Sequence, residues 1–494
     1  MKLPQWFVIA ACTVALATGA CEARSRPSGT SAQKQGKYKS VRIDGVPHVR
    51  QKPDFCGEAC LAMWLAKLGH PTWDQDAVFD QSGLDPLLAR GCHTRELARA
   101  ARKIGFDVGP VAFQVPAASA ATAMEAQWEA LHADLLRGVP SIICMRYDSK
   151  PKAPEHFRLI LGYDAKSDSV IYNEPAEDRG ARRSMRRADL LNLWPLKYSR
   201  STWTVIRLAL ATNASNAPNA SNRIRPAVAA KSFTAADYAQ HIMALKKKIP
   251  PNGGFTVVVE PPFVVIGDEK PDVVRRRAAR TVRWSAQRLK KAYFKKDPSE
   301  ILDIWLFKNR ASYRKYTWQI FRQKPTTPFG YYSHPVRALI MNIATGGGTL
   351  VHEIVHPFMA TNFPACPAWF NEGLGSLYEQ CGDNRGKIHG YTNWRLAGLQ
   401  EAIRAGRVPS FRTLTATTEH EFYQEDPGTN YSQSRYLCYY LQQRGLLRKF
   451  YRAFRANRKK DPTGLETLKR TLGVRDMAAF KKQWQAHVLK LRFP

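Results

Sequence analysis

The stretch GGGTLVHEIVH, residues 346–356, decides how the rest of the chain is interpreted. Three glycines precede Thr349, a residue type that caps helices, so we predict that a helix begins there. On this helix His352 and His356 lie one turn apart on the same face, with Glu353 beside them. Two imidazoles with this spacing can bind one Zn²⁺, and a neighbouring carboxylate can take a proton from water. The stretch therefore predicts a metal-binding helix.

A second segment supplies a third candidate ligand. Glu372 lies within WFNEGLGSLYE, residues 369–379, and 15 residues separate it from His356. A second helix packed on the first can bring this carboxylate to the metal and leave the fourth position open, as in catalytic zinc sites. Glu353 would then move a proton from the activated water to the leaving amine. Pro357 follows the second histidine directly, so the helix is expected to kink or end there.

The sequence on both sides of these ligands carries further similarity. Upstream lie residues 329–332 (FGYY) and 338–343 (ALIMNI), and downstream lie residues 430–436 (NYSQSRY). With the histidine and glutamate ligands, these segments resemble the gluzincin metallopeptidases, the thermolysin and aminopeptidase superfamily, over about residues 255–450.

This resemblance implies a gluzincin fold that hydrolyses peptide bonds. The upstream segments resemble the edge strand along which gluzincins bind an extended peptide by backbone pairing. The downstream segment resembles the one that carries a tyrosine donating to the oxyanion. The implied roles are Zn²⁺ ligands for His352, His356 and Glu372, general base for Glu353, and oxyanion donor for Tyr431, with Tyr436 as the second candidate.

A different pattern occurs near the start of the chain. Residues 51–60, QKPDFCGEAC, lead into apolar positions spaced as on one face of a helix, namely Leu61, Trp64, Leu65 and Leu68. Cys56 is therefore predicted to lie at the N-terminus of a buried helix, where the helix dipole lowers the pKa of a thiol and favours the nucleophilic thiolate. Gln51 can supply an amide donor to an oxyanion hole.

A base for this cysteine is available later in the chain. His156 opens the apolar strand HFRLILGYD, and the next strand ends in Asn173, Glu174 and Pro175. Because side chains at the ends of adjacent strands can meet, either Asn173 or Glu174 can orient the imidazole. The alternative is that Cys56 and its neighbour Cys60 are buried small hydrophobes and that His156 is a core histidine.

The order of these features resembles the papain-like peptidases that remove double-glycine leaders from bacteriocins, over roughly 130 residues that include Gly138-Val-Pro. The resemblance implies a papain-like fold with Cys56 as nucleophile and His156 as base. The gap from Gln51 to Cys56 is five residues rather than the usual six, and Glu174 stands in place of an aspartate. Relatives of this fold also bind substrates without chemistry, so a binding domain is the alternative.

The N-terminal segment has the features of an export signal. Lys2 precedes an apolar run that is too short to span a bilayer, and small residues precede Cys21, as in the lipobox of bacterial lipoproteins. We predict a signal peptide over residues 1–21, with lipidation of Cys21 at the cell envelope or, alternatively, simple cleavage into the periplasm or medium. A polar stretch over residues 22–40 is predicted to be a flexible tether.

The chain of 494 residues carries a formal net charge of +34, which favours anionic partners. Basic residues cluster at 275–291 and 448–460, where helices can contact an anionic membrane or envelope surface. The alternative is that these are solvated outer faces of packed helices. No signature of a nucleic-acid-binding fold accompanies the charge, so no specific nucleic acid partner is predicted, and the oligomeric state is not predicted.

These features predict an α+β fold with two domains. A papain-like domain over residues 41–211 and a linker over residues 212–232 precede a gluzincin-like domain over residues 233–494. Cys366 and Cys381 either form a disulfide around Glu372 or remain core thiols.

Three functions follow from this organisation. In the first, the protein is an exported zinc peptidase with a second, cysteine peptidase site, and its partners are peptides or proteins. In the second, the papain-like domain only binds substrate and presents it to the zinc site. In the third, the protein is a cationic envelope- or nucleic-acid-binding factor whose metal is inert.

Overall fold

The computed structural model of the protein describes residues 37–212, 233–325 and 327–493. The predicted signal peptide with Cys21, most of the predicted tether and nearly all of the predicted linker lie outside these ranges. The chain from Ser40 onward forms one compact unit, and the predicted domain boundaries stay predictions. Within the described ranges, no helix has the length and apolar character needed to cross a membrane.

The first half of the chain is built around a seven-stranded antiparallel sheet. In chain order its region contains β1 (Val41–Arg42), β2 (Phe106–Asp107), β3 (Ala112–Pro116), β4 (Ser141–Arg146), β5 (Glu155–Asp164), β6 (Ser169–Asn173), β7 (Arg183–Arg186), β8 (Thr202–Ala209) and β9 (Ala211–Thr212). The main sheet has the order β3-β8-β4-β5-β6-β7, and β1 pairs with β5. Strands β2 and β9 form a separate pair.

Five helices cover this sheet. They are α1 (Cys56–Lys67), α2 (Gln75–Ser82), α3 (Thr94–Ile104), α4 (Ala120–Leu136) and α5 (Arg187–Leu193). The apolar side chains of α1 pack with Phe157, Leu159 and Leu161, which alternate along β5 and face the same side of the sheet. The predicted buried helix from Cys56 and the predicted strand from His156 are thereby confirmed.

A second sheet organises the rest of the chain. Its strands are β10 (Thr256–Glu260), β11 (Phe263–Gly267), β12 (Leu302–Phe307), β13 (Gly330–Ser333) and β14 (Ala338–Asn342), in the order β10-β11-β12-β14-β13. Strands β11, β12 and β14 are parallel, and β13 runs antiparallel to β14 at the edge. The predicted edge strand at residues 329–332 is therefore present as β13. A hairpin of β15 (Cys381–Asn384) and β16 (Lys387–Gly390) lies outside this sheet.

Helices make up most of this second region. They are α6 (Ala235–Lys246), α7 (Pro271–Arg277), α8 (Trp284–Ala292), α9 (Arg310–Phe321), α10 (Gly348–Asn362), α11 (Ala368–Leu377), α12 (Arg395–Arg404), α13 (Phe411–Ala416), α14 (Pro427–Gln443), α15 (Leu447–Asn457), α16 (Leu465–Leu472) and α17 (Met477–Lys490). Helix α10 packs on one face of the sheet, and α6 and α9 pack on the other. The described chain is thus a mixed α and β structure with several sheets.

Helix α10 differs from the prediction at both ends. It begins at Gly348, after the N-cap residue Gly347, rather than being capped by Thr349. Position 348 requires glycine, because a Cβ there would lie 2.1 Å from the backbone oxygen of Glu379. The helix also continues past Pro357 to Asn362, so the predicted end at the second histidine is wrong and the alternative, a kink, stays a prediction. A proline inside a helix costs about 3 kcal/mol. Full burial of Phe358 and Met359, each contributing roughly 1.5–3 kcal/mol, offsets that cost.

The two regions are joined through α6. Ala236 and Ala239 lie in the core of the first region, and the Ala236 N–H donates to Oδ1 of Asp80 over 2.9 Å. The Gln240 side chain donates to the carbonyl of Pro53 over 2.9 Å, three residues before Cys56. The first helix after the predicted linker therefore contacts the loop that leads into α1.

Candidate active sites

The two predicted metal-binding segments meet inside the second region. Helix α10 carries His352 and His356, and α11 carries Glu372. Nε2 of His352 lies 3.0 Å from Oε2 of Glu372, and Nε2 of His356 lies 3.7 Å from Oε1. All three side chains offer one ligand atom within 4.8 Å of the others. Gly375 lets α11 approach this closely, because a Cβ there would lie 3.1 Å from the His352 imidazole.

These three side chains fit a zinc ion. Donors of a tetrahedral ion at about 2.0–2.1 Å lie roughly 3.3 Å apart, which matches the observed separations. Burial alone would raise the pKa of Glu372, but the imidazoles of His356 and His352 hold it at about 2, so the ligand carboxylate is charged. Within the described ranges, this is the one cluster of His, Cys, Asp or Glu that could hold a metal.

Two residues that the sequence analysis missed orient the histidines. Oε1 of Glu379 lies 3.3 Å from Nδ1 of His352, and Oδ1 of Asn371 lies 3.1 Å from Nδ1 of His356. Nδ1 of His356 is thereby hydrogen bonded, whereas Nδ1 of His352 lies beside the Glu379 carboxylate without a hydrogen bond to it. Nε2 of each ring faces Glu372, as it would in a ligand whose other nitrogen is held by a neighbour. Both residues lie within the quoted segment around Glu372, so proximity in sequence was an available signal.

The carboxylate of Glu379 is itself held firmly. Arg395 donates to it through Nε over 3.0 Å and Nη2 over 2.8 Å, and Asn393 donates over 3.0 Å. Burial raises the pKa of Glu379, but the nearby His352 imidazole and Arg395 guanidinium lower it to about 2. Glu379 is therefore a fixed negative charge behind His352.

Replacing Glu379 by glutamine is expected to weaken zinc binding by about 10–100-fold, because His352 loses the charged group that orients it. Competition with a chelating dye measures this change in Kd. Glu401→Gln on the exposed face of α12 is the matched control. An unchanged Kd in the Glu379 variant would show that the carboxylate has no part in metal binding.

The predicted base lies beside the edge strand. Phe329 accepts a backbone hydrogen bond from Asn342 over 2.8 Å, so in the antiparallel register the backbone groups of Gly330 and Tyr332 face away from β14. The Tyr332 N–H donates to the Glu353 carboxylate. Burial raises the pKa of Glu353, while the two imidazoles and this N–H oppose the rise. Glu353 and the outer edge of β13 thus face the same space.

Tyrosines complete this site. The Tyr423 hydroxyl donates to Oε1 of Glu372 over 2.7 Å, and the Tyr431 hydroxyl also contacts Glu372. Tyr436 is fully buried and its hydroxyl accepts from the Asn393 N–H over 3.1 Å, so it lies away from the metal ligands. The structure therefore brings Tyr431 to the site, leaves Tyr436 outside it, and adds Tyr423, which the sequence analysis missed.

The cysteine site lies at the junction of α1 and β5. Cys56 is the first residue of α1, and the backbone N–H of Phe157, the residue after His156, contacts its sulfur. Among the described residues, no hydrogen bond joins the Cys56 thiol to His156. Burial raises the pKa of Cys56 to about 12, and the carboxylates of Glu58 and Asp54 add to the rise. The predicted lowering of this pKa is wrong, because desolvation outweighs the helix dipole.

Glu174, rather than Asn173, contacts the candidate base. Nε2 of His156 is hydrogen bonded to Oε1 of Glu174, and Arg158 donates from Nε to Oε2 over 2.6 Å. The Asn173 amide instead donates to the sulfur of Met63 and accepts from the Arg182 N–H. Burial raises the pKa of Glu174, but the imidazole of His156 and then the Arg158 charge lower it to about 2.

The remaining candidate of this site is Gln51. Its backbone N–H donates to the carbonyl of Pro175 over 2.9 Å, which places it next to the turn that carries Glu174. Its side-chain oxygen is buried without a hydrogen-bond partner. Glu58, which the sequence analysis missed, is fully buried two residues after Cys56, and burial raises its pKa to about 7. The catalytic roles of these residues stay predictions.

We expect Cys56 to react slowly with iodoacetamide. A thiol of pKa about 12 is about a thousandfold less ionised at pH 7 than one of pKa 9. Higher intrinsic nucleophilicity offsets part of this, so alkylation should be on the order of fifty-fold slower than that of free cysteine. Peptide mapping by mass spectrometry locates the modified residue. Alkylation of Cys56 that is faster than this reference, with an inflection below pH 7, would instead show a thiolate–imidazolium pair.

The other six cysteines within the described ranges carry free thiols. Cys366 and Cys381 are both reduced and partly buried, which agrees with the core-thiol alternative rather than a disulfide.

Many side chains of the two basic clusters, at residues 275–291 and 448–460, form contacts within the protein. In the first cluster, five cations pair with carboxylates, namely Arg276, Arg277, Arg283, Arg288 and Lys290. In the second, Phe450 and Phe454 are fully buried in the core. These aromatic side chains are thus not available to enter a membrane, and the charged groups form an outer face.

Comparison with known proteins bears on the first region. Residues 43–201 match the model of the Peptidase_C39 like family. A search of curated proteins found no match. Since the family is one of peptidases, peptide or protein substrates are implied. Residues 43–201 are therefore similar to the Peptidase_C39 like family, which supports a papain-like domain of the cysteine peptidase type at this end of the chain.

Proposed function

We propose that the protein is a zinc-dependent peptidase of gluzincin type, with its zinc site in residues 233–494. The observation that carries the proposal is the convergence of His352, His356 and Glu372 within 4.8 Å. Glu353 lies next to the first ligand, and an unpaired sheet edge lies next to Glu353. A base, a metal site and a peptide-binding edge are the three parts that hydrolysis of a peptide bond requires.

The chain's own residues would divide the work as follows. When bound, a zinc ion supplies Lewis acidity, which brings the pKa of a water to about 7 and polarises a carbonyl. Glu353 takes the proton from the attacking water and gives it to the leaving amine, since its carboxylate lies directly beside the ligands. Tyr431 donates a hydrogen bond to the developing oxyanion. Arg395, stacked 5.2 Å from the Tyr431 ring, positions that tyrosine.

The edge strand would hold the substrate extended. The backbone groups of Tyr332 face outward, so a peptide can pair with the edge at Tyr332 by replacing the Glu353 carboxylate at the Tyr332 N–H. Pairing would end there, because the outward-facing groups of Gly330 are bonded to the Thr327 hydroxyl. Such pairing places the scissile bond over Glu353, because this carboxylate already bonds to the outward-facing Tyr332 N–H.

The papain-like domain has a second candidate role, which is to bind a peptide and present it to the zinc site. Two observations favour binding over turnover: among the described residues no hydrogen bond joins Cys56 to His156, and Arg158 shares the Glu174 carboxylate with the imidazole. Arg158 therefore competes with the imidazole of His156 for this carboxylate. Cys56→Ala would then leave peptide hydrolysis nearly intact.

We also propose that the protein acts outside the cytoplasm. The charged start, short apolar run and small residues before Cys21 support export and anchoring through a lipid on Cys21 at the cell envelope, with release into the periplasm or medium as the alternative.

A peptide-library digest with the full chain tests this function. A chelator should abolish cleavage and added Zn²⁺ should restore it, whereas iodoacetamide should have little effect. Cleavage that resists the chelator but is lost on alkylation would place the chemistry at Cys56. If no peptide is cut, and the affinity for an anionic envelope component or nucleic acid falls steeply as salt is added, the result would favour a cationic binding factor.

A further inference from the structure

A cavity of about 640 Å³ opens between α9 and the segment that leads into β13. The charged, aromatic and hydroxyl side chains that line it are those of Arg310, Tyr313, Arg314, Trp318, Lys324 and Thr327. No carboxylate occurs among the described residues that line it. The cavity lies outside the cluster of metal ligands and belongs to none of the roles assigned above.

The positive charges of this cavity have no counterions. Arg310, Arg314 and Lys324 are exposed, and within the described ranges none of them forms an ion pair. Several cations of the cluster at residues 275–291 are paired, such as Arg276, Arg277 and Arg283, whereas Arg275, Arg280 and Lys291 have no ion pair within the described ranges, so the grouping of three such cations around one cavity is the distinguishing feature. The cavity therefore presents three uncompensated charges, which favour an anionic ligand.

An aromatic surface accompanies these charges. Trp318 is 53% exposed at the rim of the cavity, so its ring is available to pack on a ligand. Tyr313 closes the base of the cavity and donates to the carbonyl of Thr327 over 3.2 Å. The ligand is thus expected to combine negative charge with apolar or backbone surface, as a peptide does.

The cavity lies along the same strand edge as the candidate base. The Thr327 hydroxyl donates to the carbonyl of Gly330 over 2.9 Å and accepts from its N–H over 3.1 Å. Both of these Gly330 groups face away from β14, as does the Tyr332 N–H that contacts Glu353. Two residues of strand separate the positions, or roughly 7 Å. Because the Thr327 hydroxyl already occupies both Gly330 groups, a peptide that lies beside Glu353 would leave the strand edge before Gly330 and continue over Thr327 into the cavity.

We propose that this cavity is a subsite for acidic side chains of the peptide substrate. The inference rests on the proposed peptidase function and adds a substrate class to it. The guanidinium groups of Arg310 and Arg314 bind an Asp or Glu carboxylate through paired hydrogen bonds, Lys324 adds a point charge, and Trp318 packs on the adjoining peptide. The substrate is therefore a peptide that carries acidic residues a few positions from the bond that is cut.

Paired fluorogenic peptides test the subsite. One set carries Glu at successive positions on either side of the scissile bond, and the matched set carries Gln. With the full chain loaded with Zn²⁺, kcat/KM should favour Glu at one or two positions by about tenfold at low salt, and the preference should shrink as salt is added. In the variant R310Q/R314Q/K324Q the Glu-to-Gln ratio should fall to about one.

The control variant R448Q/R452Q/K459Q removes two cations from α15 and one from the turn after it, none of which lines the cavity, and should keep the wild-type ratio. A ratio near one in the wild type, or a preference that survives R310Q/R314Q/K324Q, would overturn the proposal. Displacement of the acidic peptide by inorganic phosphate that supplies the same amount of negative charge would also overturn the proposal, because the site would then bind anions in general.

Binding to the Glu353→Gln variant separates this proposal from the function on which it rests. Fluorescence titration should show tighter binding of the Glu peptide than of the Gln peptide, and R310Q/R314Q/K324Q added to this variant should remove the difference. If the Glu353→Gln variant still hydrolyses peptides, the zinc mechanism fails and the subsite can still be scored by binding. If hydrolysis is lost but both peptides bind equally, the subsite fails alone.

Discussion

Replacement of Glu353 by glutamine is expected to lower kcat for peptide hydrolysis by about 10²–10⁴-fold while one zinc ion per chain stays bound. Glu353 is the carboxylate beside the metal ligands that can carry a proton between water and the leaving amine. Glutamine keeps the shape of the side chain and can still accept from the Tyr332 N–H, but it cannot take a proton. The loss should therefore appear in kcat rather than in KM.

The readouts for this variant are steady-state kinetics and zinc content by elemental analysis of the same sample. Glu401→Gln, an exposed glutamate of α12, controls for loss of one negative charge and should behave as wild type. Wild-type hydrolysis by the Glu353 variant would remove Glu353 from the mechanism. Loss of zinc from the variant would instead assign it a structural part in the metal site.

Replacement of Glu372 by alanine is expected to remove the zinc ion. The Glu372 carboxylate is the proposed third ligand. Its oxygens lie 3.0 Å from Nε2 of His352 and 3.7 Å from Nε2 of His356. Without this carboxylate, only the two histidines would remain to bind the ion. Loss of a direct ligand should exceed the roughly 10–100-fold weakening typical of an outer partner such as Glu379. Hydrolysis should disappear with the metal.

Because Glu372 is buried, its removal also affects folding, so Glu372→Gln is the second variant. It keeps the volume and the hydrogen bond to Tyr423 but loses the charge. Circular dichroism and Tm of the metal-free proteins show whether each variant folds. A folded Glu372 variant that binds zinc as tightly as the wild type would contradict the assignment of the third ligand.

The clustering of His352, His356 and Glu372 could be predicted from the sequence because the spacing of the histidines follows from helix geometry, whereas their binding of a metal stays a prediction. His352 and His356 share a face in any α-helix, and only the packing of α11 on α10 had to be assumed for Glu372. The edge position of β13 was predicted from resemblance. The continuation of α10 through Pro357 was not, because it depends on how completely Phe358 and Met359 are buried.

The partners that tune each site could not be predicted in the same way. Arg395 reaches Glu379 from a different helix, and Arg158 reaches Glu174 from an adjacent strand, so both contacts exist only after folding. The pKa of Cys56 could not be predicted from the sequence for the same reason. A helix N-terminus lowers the pKa of an exposed thiol, but burial and nearby carboxylates reverse the direction here.

Titration of the metal-free full chain with Zn²⁺ tests the central assignment most directly, with bound zinc and the rate of peptide hydrolysis measured in the same samples. The geometry of His352, His356 and Glu372 predicts that the rate rises in proportion to bound zinc and reaches its plateau at one ion per chain. A metal-free chain that already hydrolyses at the full rate, or a chain that binds no zinc, would contradict it.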